Sequence, residues 1–439
     1  MTGVAVEADV FRSAFERRSR ARAAGWLRAL RETAFARYAA KGMPTTRDED
    51  WKYTSVQAIA RAAFCEPSSF AASSDQLAAA GLVELGGALA VFVNGRFDAG
   101  LSRLDVDGAR IESLREVLER DPGRVEDRLG REANARTPFS CLNTALAEDG
   151  ALVEIAAGVV IREAIQLVFY SDADAARPSV THPRVLVRAG LASQALVVET
   201  HLGRGSYLCN AATELFVEDG ARLDHVKLQR ECETAFHVAI VAAALGRNAR
   251  LDQHHVSLGA RLARADIEAR FAGEGGECGM YGLFHADGER LTDTHTRLDH
   301  AVPRATSREV YKGILDGRAR GVFHGRILVR KDAQKTSAHQ SNKNLLLSRD
   351  ALVQSTPQLE ILADDVKCKH GATTGQLDEA ALFYLRSRGL DEAAARSLLT
   401  YAFAGDVAHQ LPHAALREAV AAHLHARLGG GREIQEAAL

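Results

Sequence analysis

The chain has 439 residues, 46% of them apolar but only 6% aromatic, enough for a sizeable core of small aliphatic layers. Its 55 basic and 57 acidic residues nearly cancel. That balance argues against a nucleic-acid binder and against a polybasic membrane anchor, both of which need surplus positive charge.

At about 150 residues per domain, the length suits about three structural units. The longest unbroken apolar run, residues 238–245, falls far short of the roughly 20 residues that span a bilayer. The first residues show neither a basic start nor an apolar h-region, so a cytoplasmic protein is expected. Cys65, Cys141, Cys209, Cys232, Cys278 and Cys368 include no CxxC pair, so free thiols are expected rather than a zinc ribbon.

The first region, residues 1–135, opens with one or two helices over residues 8–40, which are rich in Ala, Arg, Leu and Glu. Pro44 and Thr45-Thr46 stop them. Residues 47–54 then read as a charged turn whose aromatics, Trp51 and Tyr53, anchor it to the core. The run Leu89-Ala-Val-Phe-Val ends at Asn94-Gly95, a hairpin signal.

In the second region, residues 136–376, helical periodicity disappears. Short apolar or alternating runs follow small turn residues at Gly158, Gly190, Gly220, Gly246 and Gly317. The spacing is loose and blurs after Gly246. Near-constant spacing of short strands predicts a solenoid, in which stacked coils bury one continuous aliphatic column. A β-sandwich is the competing fold.

The third region, residues 377–439, is expected to be helical. Asp378 caps a helix that ends before Gly389, and Asp391 caps another through Phe403. Leu416, Val420, Leu424 and Leu428 form an apolar stripe ended by Gly429-Gly-Gly431. It reads either as packing of a helical cap on the solenoid end or as a docking surface.

No phosphate loop, dinucleotide fingerprint, HExxH or GxSxG motif is present. Any ATP chemistry therefore falls to a partner. His254, His255, His285, His295, His300, His324 and His339 fall among the strands and, singly, read as surface or hydrogen-bonded core residues. Cys368 and His370 are more specific. On an extended strand they share one face, about 7 Å apart at ~3.3 Å per residue. A thiolate and an imidazole suit iron or an iron–sulfur cluster, but two ligands are too few, so a second chain must complete the set. The plain alternative is a buried cysteine beside an exposed histidine.

Several segments carry a resemblance. They are Gln340-Ser-Asn-Lys-Asn-Leu, Thr356-Pro-Gln-Leu-Glu-Ile, Asp364-Asp-Val-Lys-Cys-Lys-His-Gly-Ala-Thr373 and Leu382-Phe-Tyr-Leu385, with Asp50-Trp-Lys-Tyr-Thr54 and Val93-Asn-Gly-Arg-Phe97. Together they resemble the SufB/SufD family of SUF iron–sulfur cluster assembly scaffolds. SufB-like chains carry a cysteine ahead of the Pro-x-x-Glu strand and read His-Glu-Ala in the later motif. Here no cysteine lies between Asp332 and Glu360, and the motif reads His370-Gly371-Ala372, which places the resemblance on the SufD side.

The resemblance implies a mainly β chain, a right-handed parallel β-helix flanked by N- and C-terminal α-helical regions. It implies a non-catalytic scaffold that pairs with SufB through the β-helix and docks the ATPase SufC on its C-terminal helices. Leu382, Phe383, Leu385, Leu398, Leu399 and Phe403 are the expected docking residues. His370, with Cys368 behind it, is the expected iron or cluster ligand at the SufB interface. No resident cofactor is expected, only a transient iron–sulfur cluster. Whether the isolated chain forms a homodimer stays open. A β-helix enzyme acting on polysaccharide or acyl groups is the alternative, although no catalytic row is visible.

Overall fold

The computed structural model describes residues 4–20, 22–68, 70–133 and 136–428; Gly429-Gly-Gly431 lie outside the described residues, as does the side chain of Leu428. The chain is mainly β, 42% strand and 24% helix, wound into a solenoid of about 7 turns with helical regions at both ends. Each coil gives one strand to each of two sheets. One sheet runs from the Arg96–Phe97 hairpin strand, through Val160–Asp172 and its successors, to Lys367–Gly375. The other runs from Ala109–Ser113 to Leu352–Ile361. Pairing between coils is parallel, and only the strands at the N-terminal end, Arg96–Phe97 and Ala109–Ser113, pair antiparallel.

Register shows how the sequence repeat works. Arg222, Arg250, Glu277, Thr306, Ser337 and Lys367 stack one above another, so a coil takes 27 to 31 residues. Two residues before each of these strands, except the last, the backbone turns left-handed. Gly158 and Ala192 begin the column, which continues through Gly220, Asn248, Gly275, Arg304 and Lys335. Stacked corners are tied by hydrogen bonds from Gly158 N to Leu191 O, Ala192 N to Asp219 O and Asn248 N to Glu274 O, at 2.8 to 2.9 Å. Positive φ favours glycine. Ala192, Asn248, Arg304 and Lys335 occupy it as well, so glycine marks only three of its seven positions, Gly158, Gly220 and Gly275.

Alternation along each strand fills the interior. Leu223, Leu251, Cys278, Ser307, Ala338 and Cys368 form one inward column, and alanine, valine and isoleucine from the facing sheet close over it. At roughly 1.5–3 kcal/mol for each fully buried aliphatic side chain, this column is the main source of stability.

The C-terminal helices do not cap the solenoid end. Glu392–Ala408 and Ala414–Leu428 lie along the outer face of the first sheet. There Leu416, Val420 and Leu424 pack with Val226, Val256, Leu283 and Ile314. A cap on the solenoid end was one of the two readings of the stripe; the flank takes it instead, because Val226, Leu228, Val256 and Ile314 make that outer face apolar. Asp378 and Asp391 cap their helices by accepting from Ala380 N and Ala394 N, at 2.8 and 2.7 Å. The second of these helices continues past Phe403 to Ala408.

The N-terminal helices Val4–Ser19 and Gly25–Lys41 pack with the helix Pro138–Leu146. The segment after them is anchored by Trp51, only 3% exposed, while Tyr53 stays in solvent. The Arg264 guanidinium stacks 3.9 Å from the Trp51 ring and donates to the Asp50 carbonyl at 2.7 Å. It also donates to the buried Asp293 carboxylate at 2.6 Å, and the Thr54 hydroxyl donates to the same oxygen at 2.5 Å. Removing one partner of such a pair leaves a buried charge unpaired. Arg264→Met is therefore expected to cost about 3–5 kcal/mol, read as earlier urea unfolding and faster proteolysis within residues 42–56.

The same pair sets a pH dependence. Burial pushes the Asp293 carboxyl up, but Arg264 and His295 outweigh it and hold the pKa at about 2. Against an unfolded value of ~3.9, its contribution is complete above about pH 4 and lost as pH falls toward 2. Acid titration of Asp293→Asn should lack that part of the unfolding limb; an identical limb would place the acid sensitivity elsewhere.

Candidate functional site

Among the described residues, strands bound the last coil on one side only. Lys367–Gly375 pairs with Ser337–Leu346, and Leu352–Ile361 pairs with Arg320–Val329. Neither has a strand on its other side among the described residues. Two long strand edges therefore present unpaired backbone donors and acceptors at one end of the solenoid. An exposed strand edge is a template for another chain. Pro357, which has no N–H, sits at this edge, where a proline is tolerated. Leu352, Ile361 and Leu362 are exposed around it.

His370 and Cys368 both lie on this final strand, two residues apart and on the same inward-directed row. Their surroundings differ. Cys368 follows Ala338 in the aliphatic column and packs against the core, half-buried. Burial pushes its thiol pKa up, while a hydrogen bond from the Ala338 backbone pulls the other way. His370 is exposed. The open end thus offers an accessible imidazole, with a protonated thiol behind it.

Beneath His370, in register, stands Gln340, and beneath that Glu309, both fully buried. The Gln340 amide donates to Glu309 at 2.9 Å, and the Thr296 hydroxyl donates to the other carboxylate oxygen. Sequence reading missed both residues. Their alignment appears only with the register: 309, 340 and 370 are each one coil apart. Burial raises the Glu309 pKa to about 7, against the pull of Gln340 and Thr296. A raised carboxyl costs the folded state progressively as pH climbs from about 4.5 to 7. Glu309→Gln should therefore stabilise the protein at pH 8 by about 3 kcal/mol and change little near pH 4; thermal melts at the two pH values check this.

The C-terminal expectations divide. Phe383 and Tyr384, on the helix Glu379–Ser387, are 76% and 55% exposed, and no residue of that helix is buried. Leu382, Leu385, Leu398 and Leu399 are half-buried. Phe403 is engaged with the solenoid: the Lys312 ammonium lies 4.7 Å from its ring and donates to its carbonyl at 2.6 Å.

The strand histidines also divide. His254, His255, His285 and His300 are buried. The donor atoms of Asp50, His295 and His324 fall within 4.8 Å of one another. His295 Nε2, however, lies 3.1 Å from Asp293 and is tied into the Arg264 anchor. No described helix is long and apolar enough to cross a membrane.

Residues 169–403 match the family model described as SUF system FeS cluster assembly, SufBD core domain, and residues 9–167 match the SufBD protein N-terminal region. The chain is 33% identical over 389 residues to an iron–sulfur cluster assembly SufBD family protein of Synechocystis, covering 85% of each chain. It is 30% identical over 393 residues to the iron–sulfur cluster assembly protein SufD of Escherichia coli, covering 89% of this chain and 90% of that one. It is 28% identical over 411 residues to the chloroplastic protein ABCI7 of Arabidopsis thaliana, covering 91% of this chain and 85% of that one. With both family regions matched and a helix-flanked solenoid between its ends, the chain belongs to the SufBD family of SUF iron–sulfur cluster assembly proteins, as a SufD-type scaffold.

Proposed function

We propose that the chain pairs with SufB through the open end of its solenoid and there contributes His370 to a nascent iron–sulfur cluster. The observation that carries this reading is the uncovered last coil, which presents one exposed imidazole beside two unpaired strand edges. Strand addition at those edges would satisfy the backbone and bury His370 between the two chains. A thiolate from SufB would complete the donor set, with iron and sulfide as cargo. Imidazole ligation suits a site that must also release its cluster, because protonation of the ring competes with the metal. Cys368 is the weaker candidate, since its thiol must be deprotonated and withdrawn from the core.

The second half of the proposal is that SufC docks on the C-terminal helices and supplies the ATP hydrolysis. The exposed aromatic pair Phe383 and Tyr384 supports this, with Leu382, Leu385, Leu398 and Leu399 at its margin. Large aromatics at an exposed patch are typical anchors of an interface. Phe403 would act from behind, by holding its helix to Lys312. The proposed seat of action is the cytoplasm.

Two measurements test the halves separately. His370→Ala should cut cluster formation on the reconstituted complex at least tenfold while leaving SufB bound; unchanged cluster formation would remove the ligand role. Deleting residues 377–439 is a poor test of docking, because it bares the apolar flank of the first sheet. Phe383→Ser with Tyr384→Ser changes only exposed side chains and should abolish co-purification with SufC. Full retention of SufC would move the docking surface elsewhere.

A further inference from the structure

Far from the open end, the solenoid interior holds a second set of metal-type donors. His201, Cys209, Glu231 and His237 are all buried, and one donor atom from each lies within 4.8 Å of the others. They come from two successive coils at one corner. His201 lies near the end of the strand Gln194–Arg204, and Cys209 near the start of the strand Tyr207–Val217. One coil on, Glu231 lies in the turn and His237 opens Phe236–Leu245. Cys209 and His237 are register partners.

The contacts within the set are already close. Cys209 Sγ lies 3.6 Å from His201 Nδ1. His237 Nδ1 lies 2.8 Å from a Glu231 carboxylate oxygen. His237 Nε2, although the residue is only 1% exposed, finds no hydrogen-bond partner among the described residues. A buried imidazole nitrogen without a partner is costly, and a bound ion or water is what relieves it. On its far side His201 Nε2 faces Glu199 Oε2 at 3.5 Å. A carboxylate behind a histidine is the arrangement that orients metal-binding imidazoles.

We infer that these four side chains form a closed site for a borderline-soft divalent metal, zinc in the first instance, stapling one coil to the next. The donor set of one thiolate, two imidazoles and one carboxylate suits tetrahedral zinc. All four positions come from protein, so the role is structural rather than catalytic. With bonds of about 2.0–2.3 Å, a tetrahedron has edges of about 3.5 Å, so the donors need move inward by only about 0.8 Å. The Cys209–His201 distance is already there.

Charge balances as well. A thiolate and the Glu231 carboxylate neutralise the dication, while Lys227 pairs with Glu199 at 3.0 Å. Lys227 also lies 2.7 Å from His201 Nε2. Metal on Nδ1 turns Nε2 into a donor, so the ammonium must lean fully onto Glu199.

The site is distinct from Cys368 and His370, and the test separates the two. The full chain, refolded after treatment with a chelator, is titrated with cobalt(II). The expected result is one cobalt per chain, with a thiolate-to-cobalt charge-transfer band and the intense visible bands of tetrahedral geometry. Cys368→Ser with His370→Ala, both at the open end, should keep those bands. Cys209→Ser should lose the charge-transfer band and weaken binding by more than about 100-fold. Absence of the band in the wild type, or its loss in the open-end variant alone, overturns the proposal. Because Cys209→Ser alters a buried residue, X-ray absorption on the wild-type zinc form gives an independent readout. One sulfur at about 2.3 Å with nitrogen and oxygen at about 2.0–2.2 Å supports the site, and a shell without sulfur rules it out.

Discussion

Hydrogen bonding between coils is the constraint on which this molecule rests. Every strand satisfies its backbone by pairing with the coil before and the coil after, so a stack of coils has no natural end. At the N-terminal side the chain supplies its own closure. Arg96–Phe97 and Ala109–Ser113 turn back antiparallel and finish the two sheets. At the other side it does not. After Lys367–Gly375 the chain leaves for the flank, where Leu416, Val420 and Leu424 find apolar partners, and no strand among the described residues covers the last coil. The helices are held away from the end by their own hydrophobic stripe. Such an edge in a lone chain is left to water, and it has the form of a template for an added strand.

The interior is not uniformly apolar, and the exceptions are ordered by register. Beside the aliphatic column runs a polar one, from Glu199 over Lys227 to His255. Glu199 takes bonds from Thr213, His225 and Lys227. Burial alone would raise its pKa, yet Lys227, His201 and His225 hold it well below the usual range. A buried ion pair is a poor source of stability compared with packed leucines. Its position explains more than its energy does, because it backs His201 at the corner where the four metal-type donors converge. Toward the open end the buried polar residues include Glu309 and Gln340, with His370 above them, and beside them Asn342 and Asn344, bonded to each other. Each polar step sits on the previous coil, so a residue's chemistry depends on neighbours some thirty positions away.

That dependence marks what could be read from the sequence. Local signals were legible: the Asn94-Gly95 hairpin, the caps at Asp378 and Asp391, and the strand pattern that predicts a solenoid. The same-face relation of Cys368 and His370 also follows from a two-residue spacing. What could not be read was anything assembled between coils. Ala192, Asn248, Arg304 and Lys335 hold the left-handed corner that glycine marks elsewhere, so the coil length could not be counted. Without it, Cys209 cannot be placed beside His237, nor Glu309 beneath Gln340. The exposure of His370 is likewise a property of where the stack stops, and no local pattern encodes that.

The open end and the C-terminal helices are also mechanically joined. The Lys312 ammonium, itself nearly buried, holds both the Phe403 carbonyl and the Asp406 carboxylate at 2.6 Å. Asp406 is pulled below the usual carboxylate range chiefly by that hydrogen bond. Lys312 belongs to Thr306–Leu315, which pairs with Ser337–Leu346, which pairs with the strand of His370. Only two rows of backbone hydrogen bonds therefore separate the helix anchor from the imidazole. A parallel sheet resists stretching along those rows far more than bending across them, so displacement of the helix Glu392–Ala408 would tilt the last coil rather than pull it apart. A tilt is what an interface built on strand edges feels most, because edge pairing requires the two edges to stay in plane.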